Sequence, residues 1–186
     1  MDNWQQKGIN SSHQSKIIMG ENMNKCEGIE LQPLTENDIG TLTEVMTRAF
    51  DHDTKLHLGE EKGGPEGYDD GSLLRKYGLN SPTESFKVLL NGKLIGGVIV
   101  WIRKDGNNYL GTIFLDPQFQ GRGIGTGIWG LIESMYPQAR SWTTDTPTFA
   151  KRNHYFYVHK LGFEIVRIKN PGKQKEEAYI FEKKMP

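Results

Sequence analysis

The sequence has one cysteine, Cys26, in 186 residues. That excludes an internal disulfide framework and a cysteine-rich zinc site, and a lone thiol in a polar segment fits a reducing compartment. No apolar run approaches the ~20 residues of a membrane-crossing helix. The N-terminus lacks the basic-then-apolar order of a secretory signal. Neither sign of charge dominates, since 23 basic residues balance 23 acidic ones. Nucleic-acid binding usually announces itself as a basic excess, so neither nucleic acid nor a membrane is an expected partner. A cytoplasmic protein is the expectation. Missing too is any Gly-Lys-Ser/Thr triplet, which a Walker loop requires.

Glycine, by contrast, is plentiful, with 22 residues, and much of the organisation follows from where it and proline fall. Residues 1–28 are polar and read as a flexible tail, and 29–186 as one domain able to bury a sizeable core. Residues 29–34 (IELQPL) alternate as a half-buried strand. A helix opens at Thr35, with Asp38 in its first turn and Ile39, Leu42, Val45, Met46 and Phe50 at helical spacing. Residues 51–71 have no convincing period and read as a long, glycine-rich loop, a length that is usually functional or disordered. A short helix spans Ser72 to Tyr77. Asn91-Gly92 and Asp105-Gly106 mark two reversals, giving antiparallel strands at 85–90, 93–103 and 108–115. After LDP and a glycine cluster, a helix runs to Tyr136 and stops at Pro137, and a strand follows at 139–145. The next helix has Thr146 as N-cap, Pro147 as first residue and Gly162 as left-handed stop. Strands at 163–169 and 177–184 close the chain. The order predicts an α+β (α/β) fold, a mixed and largely antiparallel sheet flanked by helices. At its centre lies a parallel βαβ unit with a right-handed crossover.

The glycine cluster QFQGRGIGTGIWG (118–130) places Gly121, Gly123, Gly125 and Gly127 at every second position. The dinucleotide fingerprint G-x-G-x-x-G fails, because its last position falls on Thr126 or Ile128. What remains is a pyrophosphate seat of backbone N–H groups at a helix N-terminus, where glycines let the anion approach the chain. Gln120 and Arg122 add contacts at the rim, while Ile124, Ile128, Leu131, Ile132 and Met135 turn into the core. A turn that binds nothing needs one or two glycines, not four.

In this setting QGRGIG (120–125) fits the Q/R-x-x-G-x-G/A signature of the GNAT superfamily of N-acetyltransferases, which the chain resembles over roughly residues 29–184. RNHYFYVHKLGF resembles the family's second marker, an Asn-bearing helix with a Tyr just before Lys-x-Gly-Phe. The resemblance implies an acetyl-CoA site in a V-shaped gap where the central parallel strands splay. By that carry-over, backbone groups of Phe114 and Leu115 hold the pantetheine. N–H groups of Gly121, Arg122, Gly123, Ile124, Gly125 and Thr126, with Gln120, hold the pyrophosphate, and Asn153 hydrogen-bonds the pantetheine. A homodimer is also in keeping with the family.

The implied reaction is direct transfer of acetyl from acetyl-CoA to a primary amine of a small molecule or peptide, with no metal. An alkyl amine, with a pKa of about 10, must lose a proton before it attacks. The resemblance implies a Tyr hydroxyl as acid for the thiolate and a backbone N–H on the strand before the signature for the oxyanion. Tyr157, one helical turn after Asn153, is the candidate acid, with Tyr155 as the fallback. It stands five residues before Gly162 where the family has four, which calls for a bulge or a looser helix end. Asp145, and Asp51, His52 and Asp53 after the first helix, are candidate bases, and a water chain is an equal alternative. Asp51 and Asp53, with Asp69 and Asp70 in the net acidic loop, are candidates for drawing in an amine cation. The rival reading is a catalytically weak acyl-CoA-binding sensor or interaction module on the same fold.

Overall fold

A computed structural model describes residues 27–173 and 176–186; the expected N-terminal tail lies almost wholly outside them. Seven strands form one sheet in the order β1-β2-β3-β4-β5-β7-β6. They are β1 (Ile29–Pro33), β2 (Glu84–Leu90), β3 (Lys93–Trp101), β4 (Asn107–Leu115), β5 (Ser141–Pro147), β6 (Glu164–Lys169) and β7 (Ala178–Lys184). Every neighbouring pair is antiparallel except β4–β5. The mixed, largely antiparallel sheet with one central parallel pair is therefore as expected. Among the described residues no helix is long and apolar enough to cross a membrane.

Each face of the sheet carries its own core. Helix α1 (Ile39–Leu58) covers one face with Ile39, Leu42, Val45, Met46 and Ala49, joined by Leu73 and Leu74 of a short helical segment and by Ile99 and Phe114 of the sheet. Helices α2 (Ile124–Met135) and α3 (Lys151–Tyr155) lie on the other face, over Val98, Val100, Leu110, Trp142 and Phe181. Leu110 and Phe114 are an even number of residues apart, yet they serve opposite cores. A β-bulge explains this: Val100 pairs with Leu110 but Ile99 with Thr112, so Gly111 is the extra residue and the alternation flips. A Cβ on Gly111 would sit 2.1 Å from the Trp101 ring, so the bulge admits no side chain without a shift.

Two local expectations fail. The first helix does not end near Phe50, and residues 51–58 are helical, so the loop starts at Gly59, a left-handed C-cap with φ 71°. Its last two turns lack the apolar stripe but are fastened by polar groups. The Thr54 hydroxyl donates to the Gly63 carbonyl at 2.8 Å, and Asp51 accepts from Gly63 N and the Tyr68 hydroxyl at 3.1 and 2.7 Å. Thr146 and Pro147 do not start a helix. They end β5, opposite Tyr179 and Ala178, and α3 begins only at Lys151. Proline has no N–H to give, and here β5 has no β4 partner on its other edge to receive one.

Close approach in the sheet gives a test. A Cβ on Gly96 of β3 would lie 2.2 Å from the Phe114 carbonyl oxygen, whereas one on Gly130 of α2 meets nothing within 4 Å. Gly96→Ala should therefore cost about 1–3 kcal/mol by overpacking. Gly130→Ala should gain about 0.5–1 kcal/mol from helix propensity. Urea unfolding of both variants measures the pair; equal effects would contradict the packing described here.

Candidate active site

Strands β4 and β5 are hydrogen-bonded only from Asn107–Ser141 to Tyr109–Thr143, although β4 continues to Leu115 and β5 to Pro147. Beyond that fork they part toward their carboxyl ends, and the outer backbone of β4 at 112–115 faces a gap. In a sheet this is an opening for an extended chain with its own donors and acceptors. The expected V-shaped gap is thus present, with Phe114 and Leu115 on one arm and Asp145 on the other. Leu115 is partly spoken for, because Gln120 reaches back to its carbonyl through Nε2 at 3.0 Å.

The β4 arm ends in Asp116, a buried carboxylate at the root of the glycine loop. It accepts from Arg48 Nε and Nη2 of α1 at 2.9 and 2.7 Å, and from the Gln118 amide at 3.2 Å. Burial pushes its pKa up, but the Arg48 and Gln118 hydrogen bonds outweigh burial and hold it below the ordinary 3.8. Gly121 and Gly123 then take φ 74° and 81°, and Gly123 is the N-cap of α2. The amides of the first helical turn precede any intrahelical acceptor, and the Gly127 amide donates to Gly123 O at 3.1 Å. Gly127 is buried and its N–H is spent, so it serves packing. Gly125 backs onto Phe156, the residue just after α3, whose ring would be 3.1 Å from a Cβ there. Arg122 and Lys93 both lie over the Phe119 ring, at 6.0 and 5.2 Å. Arg152 at the start of α3 meets Gln120 Oε1 and His52 Nε2, each at 3.4 Å. The loop therefore joins free amides, a helix N-terminus and three cations, which suits a pyrophosphate. Lys93 and Arg152 had no local sequence signal and come into place only through the fold.

The π-turn Phe156–Lys160 continues α3, with Leu161 N donating to Phe156 O at 3.1 Å. A π-turn holds one residue more than an α-turn. It therefore absorbs the extra residue between Tyr157 and Gly162, so the departure from family spacing is a bulge. Tyr157 is buried among Phe156, Phe163 and Phe181. Burial pushes its hydroxyl up to about 12, a hydrogen bond from Thr144 opposes this, and the charges of Asp145 and Asp53 add to it. Tyr157 keeps its proton throughout the neutral range. The fallback Tyr155 is 54% exposed and stacks on His159 at 4.8 Å, away from the core. Asn153 is half-buried one turn before Tyr157.

The acidic candidates separate clearly. Asp145 accepts a hydrogen bond from the Tyr109 hydroxyl at the fork, and its other oxygen faces Lys169 Nζ at 3.5 Å. Burial and that carboxylate push the Tyr109 pKa well up. Asp51 fastens the loop and Asp70 caps Ser72 N at 2.8 Å. Asp69 is exposed. Asp53 alone stands on α1 near Tyr157, paired with His57 at 3.4 Å. No group of metal-ligating side chains occurs among the described residues.

A family model described as Acetyltransferase (GNAT) family matches residues 47–163. The chain belongs to the GNAT acetyltransferase family. It is 33% identical over 142 residues to the uncharacterised protein YrkN of Bacillus subtilis (strain 168), covering 75% of each chain. Its fold matches a crystal structure of an acetyltransferase from Thermus thermophilus. That match has a TM-score of 0.66 at 17% identity, over 84% of this chain and 97% of that one. It also matches the PaiA N-acetyltransferase of Thermoplasma acidophilum, a structure in complex with coenzyme A. There the TM-score is 0.65 at 19% identity, over 84% of this chain and 99% of that one.

Removal of Arg48 tests the root of the loop. Arg48→Met leaves Asp116 buried without its cation and should cost about 1.5–3 kcal/mol near neutral pH. A carboxylate with a lowered pKa stabilises the fold above its unfolded pKa, and that stability is lost as pH falls through the folded value. The gap between wild type and variant should therefore close below pH 3.8, as read by chemical denaturation across pH. A gap independent of pH would dismiss the ion pair.

Proposed function

We propose that this protein is a cytoplasmic N-acetyltransferase. It moves the acetyl group from acetyl-CoA to a primary amine of a small molecule or peptide, by direct attack in a ternary complex. The observation that carries the reading is the forked β4–β5 pair with the glycine loop at its mouth and Tyr157 beside the fork. Backbone groups of Phe114 and Leu115 would line the pantetheine arm, and Asn153 would meet it from α3. Amides from Gly121 to Thr126, with Arg122, Lys93 and Arg152 around them, would hold the phosphates. The bulge at Gly111 turns the backbone of β4 beside the fork and is the natural source of an oxyanion donor. Tyr157, with its raised pKa, acts as the proton-bearing donor to the leaving thiolate. It cannot serve as the base. Asp145, engaged on both oxygens, is better suited to holding the fork than to taking a proton.

A homodimer fits the free edge of the sheet. Ile165, Val166 and Ile168 on β6 are 48%, 51% and 48% exposed. The strand EIVRIK, set antiparallel against a second copy of itself, pairs Glu164 with Lys169 and Ile165 with Ile168. Sedimentation velocity tests this: Ile168→Glu should turn a dimer into a monomer, and a monomeric wild type at tens of micromolar ends the idea.

Activity is tested by release of free CoA from acetyl-CoA with spermidine, lysine and a serine-initiated peptide. Tyr157→Phe should lower turnover by about 10²-fold while acetyl-CoA affinity stays within about twofold. Unaltered turnover would remove Tyr157 from the mechanism. Tight acetyl-CoA binding without amine-dependent release would favour the sensor reading, which the deep burial of Tyr157 supports.

A further inference from the structure

One pair near the fork is left unexplained by donor binding. Val45 and Ala49 are buried on successive turns of α1, and the next positions of the same stripe are Asp53 and His57. The core-facing line of the helix thus ends in two titratable side chains. The His57 side chain is only 9% exposed, and its Nε2 lies 3.4 Å from Asp53 Oδ1. That nitrogen is buried and has no hydrogen-bond partner. Buried polar atoms nearly always have one, so an orphan requires a reason. Two acceptors at this separation suit a third group that donates to both. An ammonium nitrogen at about 2.9 Å from each closes the triangle.

We propose that Asp53 and His57 form the amine pocket of the acceptor, with Asp53 binding the ammonium and His57 Nε2 removing its proton. The inference rests on the acetyltransferase reading and supplies the base that reading lacks. Tyr157, after α3, links the pair to the fork, for its hydroxyl feels the charge of Asp53 and also that of Asp145 of β5, which Tyr109 and Lys169 hold. Arg152 approaches through His52, the residue before Asp53. The proton balance closes. The ammonium gives one proton to His57, and the freed lone pair forms the C–N bond at the thioester carbon while the C–S bond breaks. The thiolate takes the Tyr157 proton, Tyr157 regains one from the new amide nitrogen, and His57 returns its proton to water.

The test has a binding arm and a kinetic arm, both on the full chain. Long-range ¹H–¹⁵N spectra of histidine-labelled protein should show His57 in the Nδ1–H tautomer. Its Nε2 resonance should move on addition of n-butylammonium, and not in Asp53→Asn. His57→Gln should bind acetyl-CoA as wild type does, lose about 10²-fold in turnover and lose the acid limb of the pH–rate profile. His159→Gln, on the exposed face of the π-turn, should change neither. An Nε2–H tautomer donating to Asp53, an unmoved resonance, or unchanged turnover and pH profile in His57→Gln would each overturn the proposal. A wild type that releases no CoA with any amine counts against the acetyltransferase reading, while the spectra still decide whether an amine pocket exists.

Discussion

The cleft depends on one divergence, for β4 and β5 stay hydrogen-bonded over three residue pairs and then part. Separating strands inside a sheet leaves buried donors and acceptors without partners, which costs about 1–3 kcal/mol for each one left unsatisfied. The fork must therefore be held open from outside. On one arm, β5 keeps its full pairing with β7. On the other, Arg48 fixes Asp116 at the tip of β4, and Gln120 fixes Leu115. At the vertex, the Tyr109 hydroxyl clasps Asp145 across the strands at the point where the backbone ladder ends. The side-chain bond takes over where the backbone bonds stop.

The bulges serve the same opening. At Gly111 one extra residue reverses which face of β4 each side chain meets, so Phe114 seals the α1 core while Leu115 seals the other. At Phe156–Lys160 one extra residue widens a helical turn and lets Tyr157 pack against Phe163 and Phe181. Both irregularities stand beside the fork. Elsewhere in the sheet β2–β3 and β6–β7 also slip register, but no candidate site residue depends on them.

What could be read from residue order was what local conformation dictates. Asn91 and Gly92 take φ 50° and 78°, as a tight hairpin requires, and Gly121 and Gly123 are left-handed as a glycine loop implies. The pairing of β4 with β5 followed from a strand, a helix and a strand in sequence. The failures came where tertiary partners outweigh local signals. Thr146-Pro147 looks like a helix start, but β7 claims it as strand. Residues 51–58 lack an apolar stripe, yet bonds from Thr54 and Asp51 to Gly63 and Tyr68 hold them helical. Tyr109 and Arg48 were missed because their partners lie 36 and 68 residues away. His57 had a signal, since it continues the Val45–Ala49–Asp53 line once the helix is extended.

A chain of zero formal charge still sorts its charges along this cleft. Lys93, Arg122 and Arg152 gather at the glycine loop, while Asp53 and Asp145 stand near Tyr157. Such a gradient orients a ligand that is anionic at one end and meets a cation at the other, and it does so without a net field around the protein. The same carboxylates act on Tyr157, helping burial keep its proton in place. Placing negative charge beside the hydroxyl therefore does two things at once. In the proposed reaction it would attract an amine, and it would keep the tyrosine a donor for the leaving group. An ammonium bound there, as proposed, would neutralise part of that charge, so the tyrosine would be a readier acid with the acceptor bound than with the site empty.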